Sequence, residues 1–132
     1  MTQSKFIVVD DDPISNTICK LTLEMVLGRV DLESFTNPKE SLDYIAEKYA
    51  MPVTSKTILL LDINMPIMSG WEFLERFDAL SENVKAAIDV YILSSSVDPR
   101  DKDRSYSNKN VRNYLLKPLT VDVIKKVLKV NA

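Results

Sequence analysis

Histidine is absent from all 132 residues. That removes Ser-His-Asp and Cys-His catalysis and any His-ligated zinc site. A single cysteine, Cys19, cannot form an internal disulfide, which fits a reducing compartment. Set in an apolar helical pattern, Cys19 is expected to be a small buried core residue. Long apolar runs are missing too: Phe6–Val9 and Ile58–Leu61 each stop at four residues, whereas a bilayer span needs about 20. The first run is cut off by Asp10, Asp11 and Asp12, short of the roughly 7–15 apolar residues of a secretory signal. The chain is therefore expected to be cytoplasmic, with no membrane partner. Positive charge is not in excess: 17 basic residues face 19 acidic ones, for a net charge of −2. A whole-chain basic footprint for nucleic acid is lacking. The chemistry must run on carboxylates, hydroxyls and lysine.

The composition that remains, 45% hydrophobic and 27% charged, is ordinary for a folded domain. The length suits one domain rather than two. Strands are predicted at Phe6–Val9, Val30–Phe35, Ile58–Leu61, Val90–Leu93 and Asn113–Leu116. Four of them are nearly continuous apolar runs, as in strands covered on both faces. The second alternates partly with acid and is expected at an edge.

Helices are predicted between the strands. Residues 13–27 carry Ile14, Ile18, Leu21 and Met25 at three- and four-residue spacing, with Gly28 as the stop. Asn37 and Pro38 open a second helix whose inward stripe is Leu42, Ile45, Ala46 and Tyr49. A third carries Phe73, Leu74, Phe77 and Leu80, a fourth starts at Asp98-Pro99, and Thr120 caps a fifth with Ile124, Val127 and Leu128. Residues 50–57 are read as a connecting loop. The order is βα repeated five times, which implies a parallel sheet with helices on both faces and right-handed crossovers. The predicted fold is a doubly wound, flavodoxin-like (βα)5 domain with strand order 2-1-3-4-5.

In such sheets, ligands bind beyond the carboxyl ends of the strands. The first strand delivers Asp10, Asp11 and Asp12 there; the third delivers Asp62, followed by Asn64; the fourth delivers Ser94, Ser95 and Ser96; the fifth delivers Lys117 and Pro118. Several carboxylates in one cleft repel one another, and a hard cation bound by oxygen, such as Mg2+, relieves that repulsion. Asp12, just before Pro13, is read as a helix cap. Asp62 is placed to be a metal ligand, a nucleophile or both, since carboxylates serve as phosphoryl acceptors. Ser94 can donate to a phosphoryl oxygen, and Lys117 can neutralise one.

Four segments, VVDDDP at 8–13, LLLDINMPIMSGWEFL at 59–74, YILSSS at 91–96 and NYLLKP at 113–118, follow their own strands in this order. Together they make the chain resemble the receiver domain of two-component response regulators, in the stand-alone, chemotaxis-regulator-like form, over nearly its whole length. The resemblance implies that residues 1–132 form a single receiver domain with no output domain. It implies that Asp62 accepts a phosphoryl group from a histidine kinase or histidine phosphotransfer protein, whose imidazole supplies what this chain lacks. It also implies Mg2+ held by Asp10, Asp11 and Asp62 with the main-chain carbonyl of Asn64, Asp10 assisting through water. Ser94 and Lys117 would engage the phosphoryl group. Tyr114 would be the switching aromatic, Lys117-Pro118 a cis peptide, and Asn64 and Ser96 the flanking positions that tune hydrolysis. The signal would alter a surface built by the fourth predicted helix, the fifth strand and the last helix, read by an unknown downstream protein. Such a domain is a phosphoprotein that catalyses only its own phosphorylation and dephosphorylation.

Some positions depart from the family pattern. Ser69 stands where an acid is frequent before Gly70, and Tyr106, Asn110 and Val111 stand where Ala and Gly are frequent. Asn110 is expected to take the left-handed conformation that Gly usually fills. The fourth predicted helix, with Arg100, Asp101, Lys102, Asp103, Arg104, Ser105 and Ser107, is unusually polar. Two alternatives remain: a small haloacid-dehalogenase-like phosphatase with Asp10 as nucleophile, which leaves Asp62 unexplained, and a degenerate receiver that serves only as an interaction module.

Overall fold

The computed structural model describes residues 5–130. Its strands are β1 (Lys5–Val9), β2 (Asp31–Phe35), β3 (Thr57–Leu61), β4 (Ile88–Ser94) and β5 (Val111–Leu116). Its helices are α1 (Pro13–Leu27), α2 (Pro38–Lys48), α3 (Gly70–Asp78), α4 (Glu82–Ala87), α5 (Pro99–Tyr106) and α6 (Val121–Val130). The strands form one parallel sheet in the order β2-β1-β3-β4-β5, as predicted. Among the described residues no helix is long and apolar enough to cross a membrane.

Successive strand side chains point to opposite faces, and this alternation builds two cores. Ile7, Val9, Leu59, Leu61, Val90 and Ile92 face one layer, where Leu42 and Ile45 of α2 and Phe73, Leu74 and Phe77 of α3 cover them. Phe6, Val8, Ile58, Leu60, Tyr91 and Leu93 face the other, covered by Cys19 and Leu23 of α1 and Ile124 and Val127 of α6. Cys19 is buried as expected, and burial followed by the charge of Asp10 pushes its thiol up to about 11.

The helix starts follow the sequence. Asp12, Asn37 and Asp98 each accept amide hydrogens at the start of α1, α2 and α5, with proline next in line. Thr120 caps α6 through the Val123 amide. Gly28 ends α1 at φ +74°, donating to the Glu24 carbonyl.

Three expectations need correction. The apolar stripe of α1 faces solvent: Ile14, Ile18, Leu21 and Met25 are 69%, 43%, 56% and 75% exposed. The inward face is Asn16, Cys19 and Leu23, because a helix with apolar residues on two sides must leave one outside. β5 closes one edge of the sheet, as the predicted order requires, with Val111 and Tyr114 in one core and Leu115 in the other, while Arg112, Asn113 and Leu116 are exposed. Asn110 is not left-handed, since no non-glycine residue among those described has positive φ; its side chain instead donates to Asp78 at 3.1 Å. A sixth helix, α4, occupies Glu82–Ala87. Its six residues bury only Val84 and Ala87, too short a pattern to show a helical period. The predicted fourth helix is therefore α5 here, and the predicted fifth is α6.

At the end of the sheet away from the acids, buried Asp89 of β4 accepts from Lys56 and Arg112, both at 3.1 Å, tying three neighbouring segments together.

Candidate functional site

Strand register places the acids. Val9 pairs with Leu61, so Asp10 and Asp62 leave the sheet side by side. The Asp62 amide donates to the Val9 carbonyl and the Asp10 amide to the Phe35 carbonyl, both at 3.0 Å. The backbone ladder thus runs one step past each strand before the side chains diverge. Asp10 and Asp62 are buried, and Asp11 lies more openly beside them. Carboxylate oxygens of Asp10, Asp11 and Asp62 all come within 4.8 Å of one another.

Lys117 reaches this cluster from beyond β5, two strands away from β3 across the sheet. Its ammonium lies 2.6 Å from Asp10 Oδ2 and 3.8 Å from Asp62 Oδ2, and donates to Ser15 Oγ at 3.5 Å. Its amide donates to the Ser94 carbonyl at 2.8 Å, and the following bond to Pro118 is cis, as the resemblance implies. Burial pulls the ammonium down, but the hydrogen bond to Asp10 and the charges of Asp62 and Asp10 outweigh it and hold it above the ordinary lysine value.

Asp62 is the perturbed acid. Burial pushes its carboxyl up to about 6; Lys117 and the Asn64 amide oppose this, while the charges of Asp10 and Asp11 reinforce it. Such a group is mostly ionised at neutral pH, yet more basic than an ordinary aspartate and so a better nucleophile. Asp10, by contrast, has both oxygens engaged: Oδ1 accepts from the Asp12 amide at 2.9 Å and Oδ2 from Lys117. The Asp11 carboxylate accepts no hydrogen bond from the described residues. Three clustered carboxylates, one of them free of such hydrogen bonds, offer all-oxygen ligation that fits a hard divalent cation.

Of the remaining predicted residues, Asn64 touches an acid directly, while Ser94 and Tyr114 lie on β4 and β5. Asn64 lies in the loop after β3, and its amide donates to Asp62 Oδ1 at 3.3 Å. Ser94 closes β4 and is fully buried. Its hydroxyl accepts from the Ser96 amide at 3.0 Å, which leaves its own hydrogen to donate. Tyr114 is turned inward, with its hydroxyl on the Ser96 carbonyl at 2.8 Å.

Three residues that shape the site escaped the sequence reading. Asn16 is buried on α1 and donates to the Asp10 carbonyl at 3.1 Å, pinning the helix to the acidic loop. The signal was present: Asn16, Cys19 and Leu23 share the inward face. Gly70 opens α3 so close to the loop after β3 that a Cβ there would lie 2.6 Å from Ile63 Cα and 2.9 Å from the Asp62 carbonyl oxygen. Ser69, noted only as a departure, caps α3 through the Glu72 amide.

Residues 6–129 match the response regulator receiver domain family. The chain is 33% identical over 101 residues to the probable methanogenesis regulatory protein FilR2 of Methanothrix harundinacea, covering 76% of this chain and 62% of that protein. It thus spans less than two thirds of that relative's length. A response regulator receiver protein from Dyadobacter fermentans superimposes with a TM-score of 0.85 at 30% identity, over 96% of each chain. A two-component response regulator from Cytophaga hutchinsonii does so with a TM-score of 0.86 at 29% identity, over 98% of this chain and 97% of that one.

Proposed function

The chain belongs to the response regulator receiver family, and from that premise we propose that Asp62 is its phosphoacceptor, with Asp10, Asp11, Asp62 and the Asn64 carbonyl holding Mg2+. The observation that carries this reading is the convergence of three carboxylates and Lys117 at one edge of the sheet. The donor is a phosphohistidine on a histidine kinase or histidine phosphotransfer protein in the cytoplasm, and the chain's only catalysis is its own phosphorylation and dephosphorylation.

An Asp62 oxygen forms a bond to phosphorus as the donor's phosphorus–nitrogen bond breaks in line, and the bonding pair leaves on the imidazole nitrogen. Lys117 neutralises charge on the transferred oxygens, and Ser94 donates its free hydrogen to one of them. Mg2+ held by Asp10, Asp11, Asp62 and the Asn64 carbonyl would supply Lewis-acid charge neutralisation. Tyr114 and the β4–α5 loop then shift, changing the surface of α5, β5 and α6.

Docking of a helical donor is supported by α1. Ile14, Ile18, Leu21 and Met25 follow a four-three-four spacing, the seam by which one helix packs along another, and all are exposed. The seam starts two residues after Asp12, so a helix laid on it ends beside the acidic loop.

The phosphatase alternative is set aside by family membership. The test is incubation with acetyl phosphate, with and without Mg2+, followed by intact mass measurement. One added phosphoryl group, dependent on Mg2+, is the expected result; an unchanged mass in both conditions refutes the reading and favours a degenerate module.

A further inference from the structure

α5 is held to the domain in an unusual way. Its sequence, PRDKDRSY, contains no aliphatic side chain other than Pro99, and its only buried residue is Ser105. Apolar burial cannot fix such a helix. Discrete polar contacts do so instead. At its last turn, Arg104 lies over the Trp71 ring of α3 at 4.4 Å, and the Tyr106 hydroxyl donates to Asn113 Oδ1 at 2.5 Å. At its first turn the tether is Ser96, whose Oγ donates to Asp101 Oδ2 at 2.6 Å and accepts from the Asp98 amide at 3.2 Å.

Each polar group of Ser96 reaches a different part of the domain. Its amide donates to Ser94 Oγ at 3.0 Å, at the end of β4. Its carbonyl accepts from Tyr114 at 2.8 Å, on β5. Its side chain holds α5 through Asp101. When the free hydrogen of Ser94 is drawn to a phosphoryl oxygen, the Ser94 oxygen moves, and the amide bonded to it moves as well.

We infer that the Ser96 hydroxyl is the positioning group that ties α5 to the end of β4, carrying a displacement of this loop to the helix through Asp101, separately from the contact its carbonyl makes with Tyr114. The inference rests on Asp62 being the phosphoacceptor. The two branches separate chemically, because Ser96→Ala keeps the amide and carbonyl and loses only the hydroxyl. The carboxylate acceptor makes the lost bond a strong one.

The test combines acetyl phosphate and Mg2+ labelling, followed by mass, with amide chemical shifts of the whole protein. In the parent, phosphorylation should move amides 99–106 and 111–116 together. In Ser96→Ala, compared with the parent at equal occupancy of the mass label, 111–116 should still respond, while the response of 99–106 is lost. Asp101→Ala should give the same loss, and the double variant no more than either single one. Ser96→Thr, which restores a hydroxyl, should restore the α5 response. A labelled Ser96→Ala protein whose α5 amides respond as fully as the parent's overturns the inference alone. So does a Ser96→Thr protein that is labelled yet fails like the alanine variant. Absence of label in the parent overturns the phosphoacceptor reading, and this inference with it.

Discussion

Replacing Asp62 with asparagine should stabilise the metal-free protein at neutral pH. Burial raises the Asp62 carboxyl to about 6, well above the ordinary aspartate value of 3.8. Holding that group ionised in the folded state therefore costs up to about 3 kcal/mol at pH 7.5. Asparagine has nearly the same shape, can accept from the Asn64 amide, and carries no charge to desolvate. It forgoes the attraction of Lys117 at 3.8 Å, which is already part of that raised value. A gain of about 1–3 kcal/mol follows, or a rise in Tm of roughly 3–10 °C for a domain of this size. The sign of the pH dependence is fixed. A carboxyl whose folded value is raised binds its proton more tightly in the folded chain, so the parent is best stabilised below about pH 4 and loses that stability as pH rises from about 4 to about 6. The advantage of Asp62→Asn should be absent near pH 4, grow through that window and level off above it. Urea unfolding in EDTA at pH values from 4 to 8 measures it. A variant less stable than the parent at pH 7.5, or a difference that does not change across the window, refutes the reasoning.

Adding Mg2+ should raise the Tm of the parent by binding only the folded state, and Asp11 removal should weaken that rise most, which thermal unfolding across a Mg2+ titration reads directly. Lys117→Ala leaves Asp10 and Asp62 facing each other uncompensated; in EDTA it should cost about 1–3 kcal/mol in urea unfolding, with part of the loss recovered in Mg2+. Leu21→Glu on the exposed face of α1 should leave labelling by acetyl phosphate unchanged but slow transfer from a phosphorylated histidine phosphotransfer protein, measured as the rate of radiolabel transfer; equal slowing of both reactions would place the effect in the site rather than the docking face.

The sheet was legible in the sequence because parallel strands buried on both faces read as short apolar runs. The punctuation between them, Asp12-Pro13, Asn37-Pro38, Asp98-Pro99 and Gly28, is local chemistry that tertiary contacts do not override. The acids were legible because they interrupt those runs at the strand ends. The face of α1 was not: Ile14, Ile18, Leu21 and Met25 form a better apolar stripe than Asn16, Cys19 and Leu23, and the sheet buries the second set. Period alone does not tell a core face from a docking face. α4 was hidden by its shortness. Asn110 followed its side chain to Asp78 rather than its backbone preference. The links from Ser94 through Ser96 to Tyr114 and Asp101 span the end of β4, β5 and α5; only the folded chain brings them together.

The most direct test of the central claim is to locate the phosphoryl group. The protein is labelled with acetyl phosphate and Mg2+, the acyl phosphate is reduced with borohydride to fix its position, and the digest is sequenced by mass spectrometry. The account predicts modification at Asp62 within residues 57–75, absent in Asp62→Asn and retained in Asp10→Asn once Mg2+ is raised. Modification at Asp10, within residues 6–20, or labelling that survives Asp62→Asn, would contradict it.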